Sequence, residues 1–184
     1  MKVLQNVQSL SMCILTAQVY RFNDAIPTFH NLTRLDLDSL NYRWHFLVEV
    51  LKHCPKLQVL YLDQAGLNSD DQTWTKNDDK ENWVDPDCVL QCISLHLRVF
   101  DISSFLGLQG ELRLARYILK NARVLQTMKI WYIGSPEIET LLSSCPRASS
   151  ACKLTFGYVP GVLSSESDSM DESESSIGSN DCVF

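Results

Sequence analysis

The chain has 184 residues, 45% of them hydrophobic and 21% charged, which fits one globular domain with room for a tail and argues against a wholly disordered or collagen-like protein. Its net charge of −6 is concentrated at one end: residues 164–184 hold six acids and no Lys or Arg, leaving 16 acids against 16 bases elsewhere. A globally basic nucleic-acid binder is therefore not indicated, and no run of about 18 uncharged apolar residues offers a membrane span.

Residues 1–22 lack the sustained apolar core and small-residue cleavage site of a secretory signal. Seven cysteines without such a signal point to free thiols in a reducing compartment, the cytoplasm or nucleus. Cys88 and Cys92 are the only close pair, and no histidine or second pair stands at zinc spacing, so they are read as unlinked small hydrophobes.

A six-residue pattern, apolar-x-x-apolar-x-apolar, recurs along the chain. It opens at Val7 (with Leu10, Met12), Leu32 (Leu35, Leu37), Leu57 (Leu60, Leu62), Leu97 (Phe100, Ile102) and Leu125 (Met128, Ile130). The steps are 25, 25, 40 and 28 residues, and a period of 25 lies in the leucine-rich-repeat range. Between the hexads the period changes to a helical one. Trp44, Leu47, Val48 and Leu51 share a face, and Pro55 should stop that helix near Cys54. Leu112, Ala115, Ile118, Leu119 and Ala122 line a second helix starting near Glu111. Ile138, Leu141, Leu142 and Cys145 line a third, with Pro136 near its start and Pro146 past its end. The expected fold is α/β: a leucine-rich-repeat solenoid with parallel strands on the concave side and helices on the convex side.

The 40-residue step contains about 15 extra residues. They fall in 69–87, which has seven acids, two lysines and two tryptophans and reads as a wet surface loop. Trp74 and Trp83 either pack back on the body or anchor a partner. The expected organisation is repeats over 1–68, an acidic insertion over 69–91, a C-terminal repeat unit over 92–160 and a disordered Ser/acidic tail over 161–184. In that tail Ser165 and Ser169 each have an acid three residues on, a context that acidophilic kinases favour.

Two stretches carry a family resemblance. His30–Asp63 has an Asn31-Leu32-Thr33-Arg34-Leu35-Asp36-Leu37 strand, the helical Trp44 and the return Cys54-Pro55-Lys56-Leu57. It resembles the leucine-rich repeat that follows an F-box in plant proteins. Residues 92–130 carry Phe105, Gly107, Glu111 and Leu112, then Tyr117-Ile118-Leu119-Lys120-Asn121-Ala122 and Leu125. They are similar to the FBD domain of plant F-box/FBD/LRR proteins. The family's F-box, with its Leu-Pro start and Lys-Arg-Trp motif, has no counterpart here. The resemblance implies the substrate-recognition part of an SCF ubiquitin ligase, without the module that docks a Skp-type adaptor. The alternative is a truncated product acting as a decoy, or without a ligase role. A first strand beginning at Val7 without a cap likewise points to a longer natural protein or a marginally stable one.

Catalytic and cofactor motifs are missing. No G-x-S-x-G, H-E-x-x-H, P-loop or G-x-G-x-x-G occurs, so no enzyme, cofactor or metal site is expected. Gly107-Leu108-Gln109-Gly110 lacks the Lys and hydroxyl of a phosphate cradle and reads as a turn into the helix. Arg113, Arg116, Lys120 and Arg123 form a basic stripe, either a solvated helix surface or an acid-binding patch, with the chain's own tail as one candidate. On the strands, residues alternating with the leucines should form ladders on the concave face. One ladder is Ser11, Asp36, Tyr61, Asp101, Lys129 and the next Cys13, Asp38, Asp63, Ser103, Trp131. The candidate partner-binding set is Asp36, Asp38, Tyr61, Asp63, Asp101, Lys129 and Trp131, which would suit a protein with a basic contact surface; the alternative is ordinary exposed strand residues. Five strands project only on the order of 200 Å², short of the roughly 800 Å² each partner gives a stable interface.

Overall fold

The computed structural model describes residues 6–14, 26–40, 42–64 and 83–160. Among them six strands and four helices follow one another as β1 (Ser9–Cys13), β2 (Arg34–Asp38), α1 (Trp44–Lys52), β3 (Val59–Asp63), α2 (Gln91–Leu95), β4 (Val99–Phe105), α3 (Gln109–Asn121), β5 (Thr127–Tyr132), α4 (Glu137–Ser143) and β6 (Lys153–Tyr158). The strands form one open parallel sheet in chain order, β1-β2-β3-β4-β5-β6. Trp74, Ser165, Ser169 and the 161–184 tail lie outside the described residues.

The hexads set the register. One buried row runs Leu10, Leu35, Leu60, Phe100, Met128, Leu154, and the next Met12, Leu37, Leu62, Ile102, Ile130, Phe156. The 40-residue step does not disturb it, because Leu60 still faces Phe100. Within β2 to β5 every inward residue of these rows is 0–2% exposed, whereas in β1 and β6 they are only partly buried. Each fully buried Leu or Phe is worth about 1.5–3 kcal/mol against leaving it in water, so the rows hold the sheet to the helices.

A sixth strand escaped the hexad pattern. Its hexad is Ala151-Cys152-Lys153-Leu154-Thr155-Phe156, leading into β6, and an exposed Ala occupies the opening position that Leu or Val fills elsewhere. The short helix α2 was also missed, since five residues cannot display a helical period.

The helical stripes fold as read, with one exception. Trp44, Leu47, Val48 and Leu51 are buried on α1, and Leu112, Ala115, Ile118 and Leu119 on α3. On α4 Ile138 and Leu142 are buried while Leu141 is 43% exposed. Helix α3 also buries Leu114 and Tyr117, a wider face than a sheet alone would cover. The cover is Trp83, 1% exposed, whose ring meets Tyr117 at 5.3 Å and Trp44 edge-on at 6.3 Å. Its indole N–H donates to Asp85 Oδ1 at 2.7 Å. Trp83 therefore packs on the body and bridges α1 to α3.

The start of α3 explains the Phe-x-Gly-x-x-x-Glu-Leu signature. Gly107 takes φ +76°, a conformation that costs other residues more, and Phe105 is fully buried. The chain then turns so that the Leu106 and Leu108 N–H groups point at Glu111. That fully buried carboxylate accepts them at 3.1 and 2.8 Å, satisfying donors a helix start leaves orphaned.

Candidate functional site

The helices cover one face of the sheet, and the other is lined by the residues between the leucines. Its central row is Ser11, Asp36, Tyr61, Asp101, Lys129, Thr155, each in register with the next. The second ladder keeps Cys13 opposite Asp38 and Asp63 opposite Ser103 but breaks before β5. Ile102 pairs with Ile130 and Phe105 with Tyr132, so two residues of β4, Ser103 and Ser104, oppose Trp131 alone. The expected Ser103–Trp131 step is thus replaced by a β-bulge. Ser104 sits at φ +57° in that bulge and its hydroxyl donates to Asp63 Oδ1 at 2.9 Å. A bulge moves a side chain off the two-residue alternation, so counting along the hexad could not have found it.

Six of the seven residues singled out from sequence line one cleft of about 390 Å³: Asp36, Asp38, Tyr61, Asp63, Asp101 and Trp131. Lys129 stands in the same central row, exposed, outside that lining. The cleft is mixed in character. Arg34 Nη2 and Nε reach Asp36 Oδ2 at 3.2 and 3.3 Å, and the Arg34 guanidinium lies 4.5 Å over the Tyr61 ring. An Arg-x-Asp pair on one strand shares a face, so Arg34 was legible in the alternation although it was not singled out. Asp36 Oδ1 is buried and accepts no hydrogen bond among the described residues.

At the β5 side burial pushes the Asp101 carboxyl above its ordinary value, while the Lys129 ammonium and a hydrogen bond from Trp131 pull the other way. Trp131, 42% exposed, is placed by Gly157, its register partner on β6. Any Cβ on Gly157 would overlap the indole ring, so glycine lets the ring lie against the next strand. Gly157 gave no sequence signal, because its reason is a neighbour 26 residues away.

Chemically the cleft offers carboxylates beside aromatic rings, which suits an ammonium or guanidinium group. The buried thiols are poor nucleophiles: desolvation pushes both Cys54 and Cys92 up to about 12. Among the described residues no three His, Cys, Asp or Glu side chains are grouped to hold a metal ion, and no helix is long and apolar enough to cross a membrane. A larger open groove, about 570 Å³, lies beside α1 between Trp44, Lys52, Val84 and Cys88, away from the ladder residues.

An open parallel sheet with helices on one face and the other face left uncovered is an α/β architecture. Comparison with known sequences makes this specific. Residues 85–130 match the family model described as FBD, which takes in Trp83's partner Asp85, α2, β4, α3 and most of β5. An F-box/FBD/LRR-repeat protein of Arabidopsis thaliana is 33% identical over 160 residues, covering 83% of this chain and 36% of the relative. An FBD-associated F-box protein of the same plant is 30% identical over 161 residues, 82% and 36% of the two chains. A second F-box/FBD/LRR-repeat protein from it is 29% identical over 170 residues, 85% and 38%. Residues 85–130 carry an FBD-type sequence, and over most of its length the chain is similar to plant F-box/FBD/LRR-repeat proteins, spanning a little over a third of the length of these relatives. No solved structure matches it.

Proposed function

We propose that the open sheet face is a non-catalytic recognition surface for a protein that presents Lys or Arg. In this reading the chain is the substrate-selecting region of an F-box protein, a leucine-rich-repeat solenoid whose sheet lines the concave side and whose C-terminal part is the FBD unit. The supporting observation is the gathering of Asp36, Asp38, Asp63 and Asp101 with Tyr61 and Trp131 in one cleft. Arg34 stacked on Tyr61 and bonded to Asp36 is an internal example of the cation such a surface holds. Lys129 marks the basic end, giving the surface a polarity that would orient a partner.

Size limits what this part does alone. Six strands project roughly 24 Å by 10 Å, still well short of the roughly 800 Å² each partner gives a stable interface. Further repeats, such as the longer relatives have length to hold, would complete the surface. The site of action would be the cytoplasm or nucleus.

The test is affinity capture from plant lysate with the wild-type chain and with an Asp36→Asn/Asp63→Asn/Trp131→Ala variant, followed by quantitative mass spectrometry. A specific partner should be lost at least about tenfold on the variant, the effect of roughly 1.4 kcal/mol or more at hot-spot positions. Adaptor and cullin subunits in the same capture would support a ligase role; the partner without them would support a decoy. Every captured protein binding both forms equally would sink the reading.

A further inference from the structure

The outer face of α3 has been given no role. Arg113, Arg116, Lys120 and Arg123 are all exposed there and just past its end. Among the described residues the two ion pairs are Arg34–Asp36 and Lys52–Glu49, so none of these four cations is in one. The chain's own complement is the 164–184 segment, with six acids and no base.

The place where that segment leaves the fold favours the match. The Val159 N–H donates to the Tyr132 carbonyl at 2.9 Å, and Tyr132 pairs with Phe105, four residues before α3 begins at Gln109. Two strand spacings, about 10 Å, thus separate the exit point from Phe105, from which four residues lead into α3. From Arg113 to Lys120 is seven residues, about 10 Å of helical rise, and Arg123 follows two residues past the end of α3. An extended chain covers about 20 Å from Pro160 to Glu166 and about 26 Å more to Glu174, enough to reach the stripe and run its length. The nearer resting place, the first turn of α4, carries Glu137 and Glu139 and repels the same segment. Lys129, exposed on the open face, is already drawn on by Asp101.

We propose that the acidic segment 164–174 lies along the Arg113–Arg116–Lys120–Arg123 stripe in the same molecule. Each exposed pair is weak by itself, but tethering raises the effective concentration to the millimolar range. Added negative charge at Ser165 and Ser169, each followed by an acid three residues on, strengthens the contact.

A zero-length carbodiimide cross-linker tests this on the full chain, by joining the Lys120 amine to carboxylates in contact with it. Peptide mapping of the monomer fraction should give Lys120 joined to acids between Glu166 and Glu174. The yield should fall at least about threefold in 0.5 M salt, where the screening length is on the order of 4 Å. Arg116→Glu/Arg123→Glu should lower it similarly, and Ser165→Glu/Ser169→Glu should raise it. The salt series uses the unaltered chain and so does not depend on a variant folding. A yield indifferent to salt, tail cross-links favouring Lys129 or Lys153, or cross-links confined to covalent dimers would each overturn the proposal.

Discussion

Glu111 shows how one side chain shapes the region around it. Its carboxylate is fully buried and accepts the Leu106 and Leu108 N–H groups, which have no helical partners. Replacing it by Ala strands those donors, and Glu111→Ala should cost about 2–3 kcal/mol, read as a lower urea midpoint with unchanged slope. Asp101 works with the opposite sign. Burial raises its carboxyl above the ordinary 3.8, so at a pH between 3.8 and the raised value the folded chain holds a proton that the unfolded chain releases. Stability due to this group is full below 3.8 and lost as pH rises through the raised value. Asp101→Asn should therefore raise the urea midpoint at pH 7, and the gain should close as the pH is brought below 3.8.

At the scale of elements, the chain solves a packing problem that the repeat alone leaves open. Helix α3 is apolar on more than the side facing the sheet, and Trp83 closes it by lying against Tyr117 and Trp44. Gly110 is the matching concession on α3: a Cβ there would stand 2.6 Å from Trp44 Nε1. The Leu90 N–H completes the cover by donating to the Tyr117 hydroxyl at 3.2 Å. Trp83→Ala removes a large buried ring from this junction and should cost about 3–5 kcal/mol in chemical denaturation. A loss under about 1 kcal/mol would show that α1 and α3 hold together without it.

Across the whole molecule, stability should follow burial from strand to strand. The inward residues of β2 to β5 are almost completely shielded, while Leu10, Met12, Leu154 and Phe156 in the edge strands are only partly covered. Edge amides also lack a neighbour on one side. Hydrogen exchange should therefore be fastest in β1 and β6 and slowest in β3 and β4, in the manner of local opening. Uniform protection across the six strands would contradict a nearest-neighbour account of the fold.

The sequence by itself determined the α/β class, five of six strands, the three longer helices and the register of the buried rows. All of these are periodic patterns in which each residue's position follows from its neighbours in the chain. It also placed Asp36, Tyr61 and Asp101 side by side, because each residue holds the same position in its hexad and the hexads stay in register from strand to strand. Only the tertiary structure decided the bulge at Ser103 and Ser104, the burial of Trp83, the seat that Gly157 gives Trp131 and the stacking of Arg34 on Tyr61. Their cause is the shape or charge of a side chain across the sheet or between helices, and no local period along the chain carries that information.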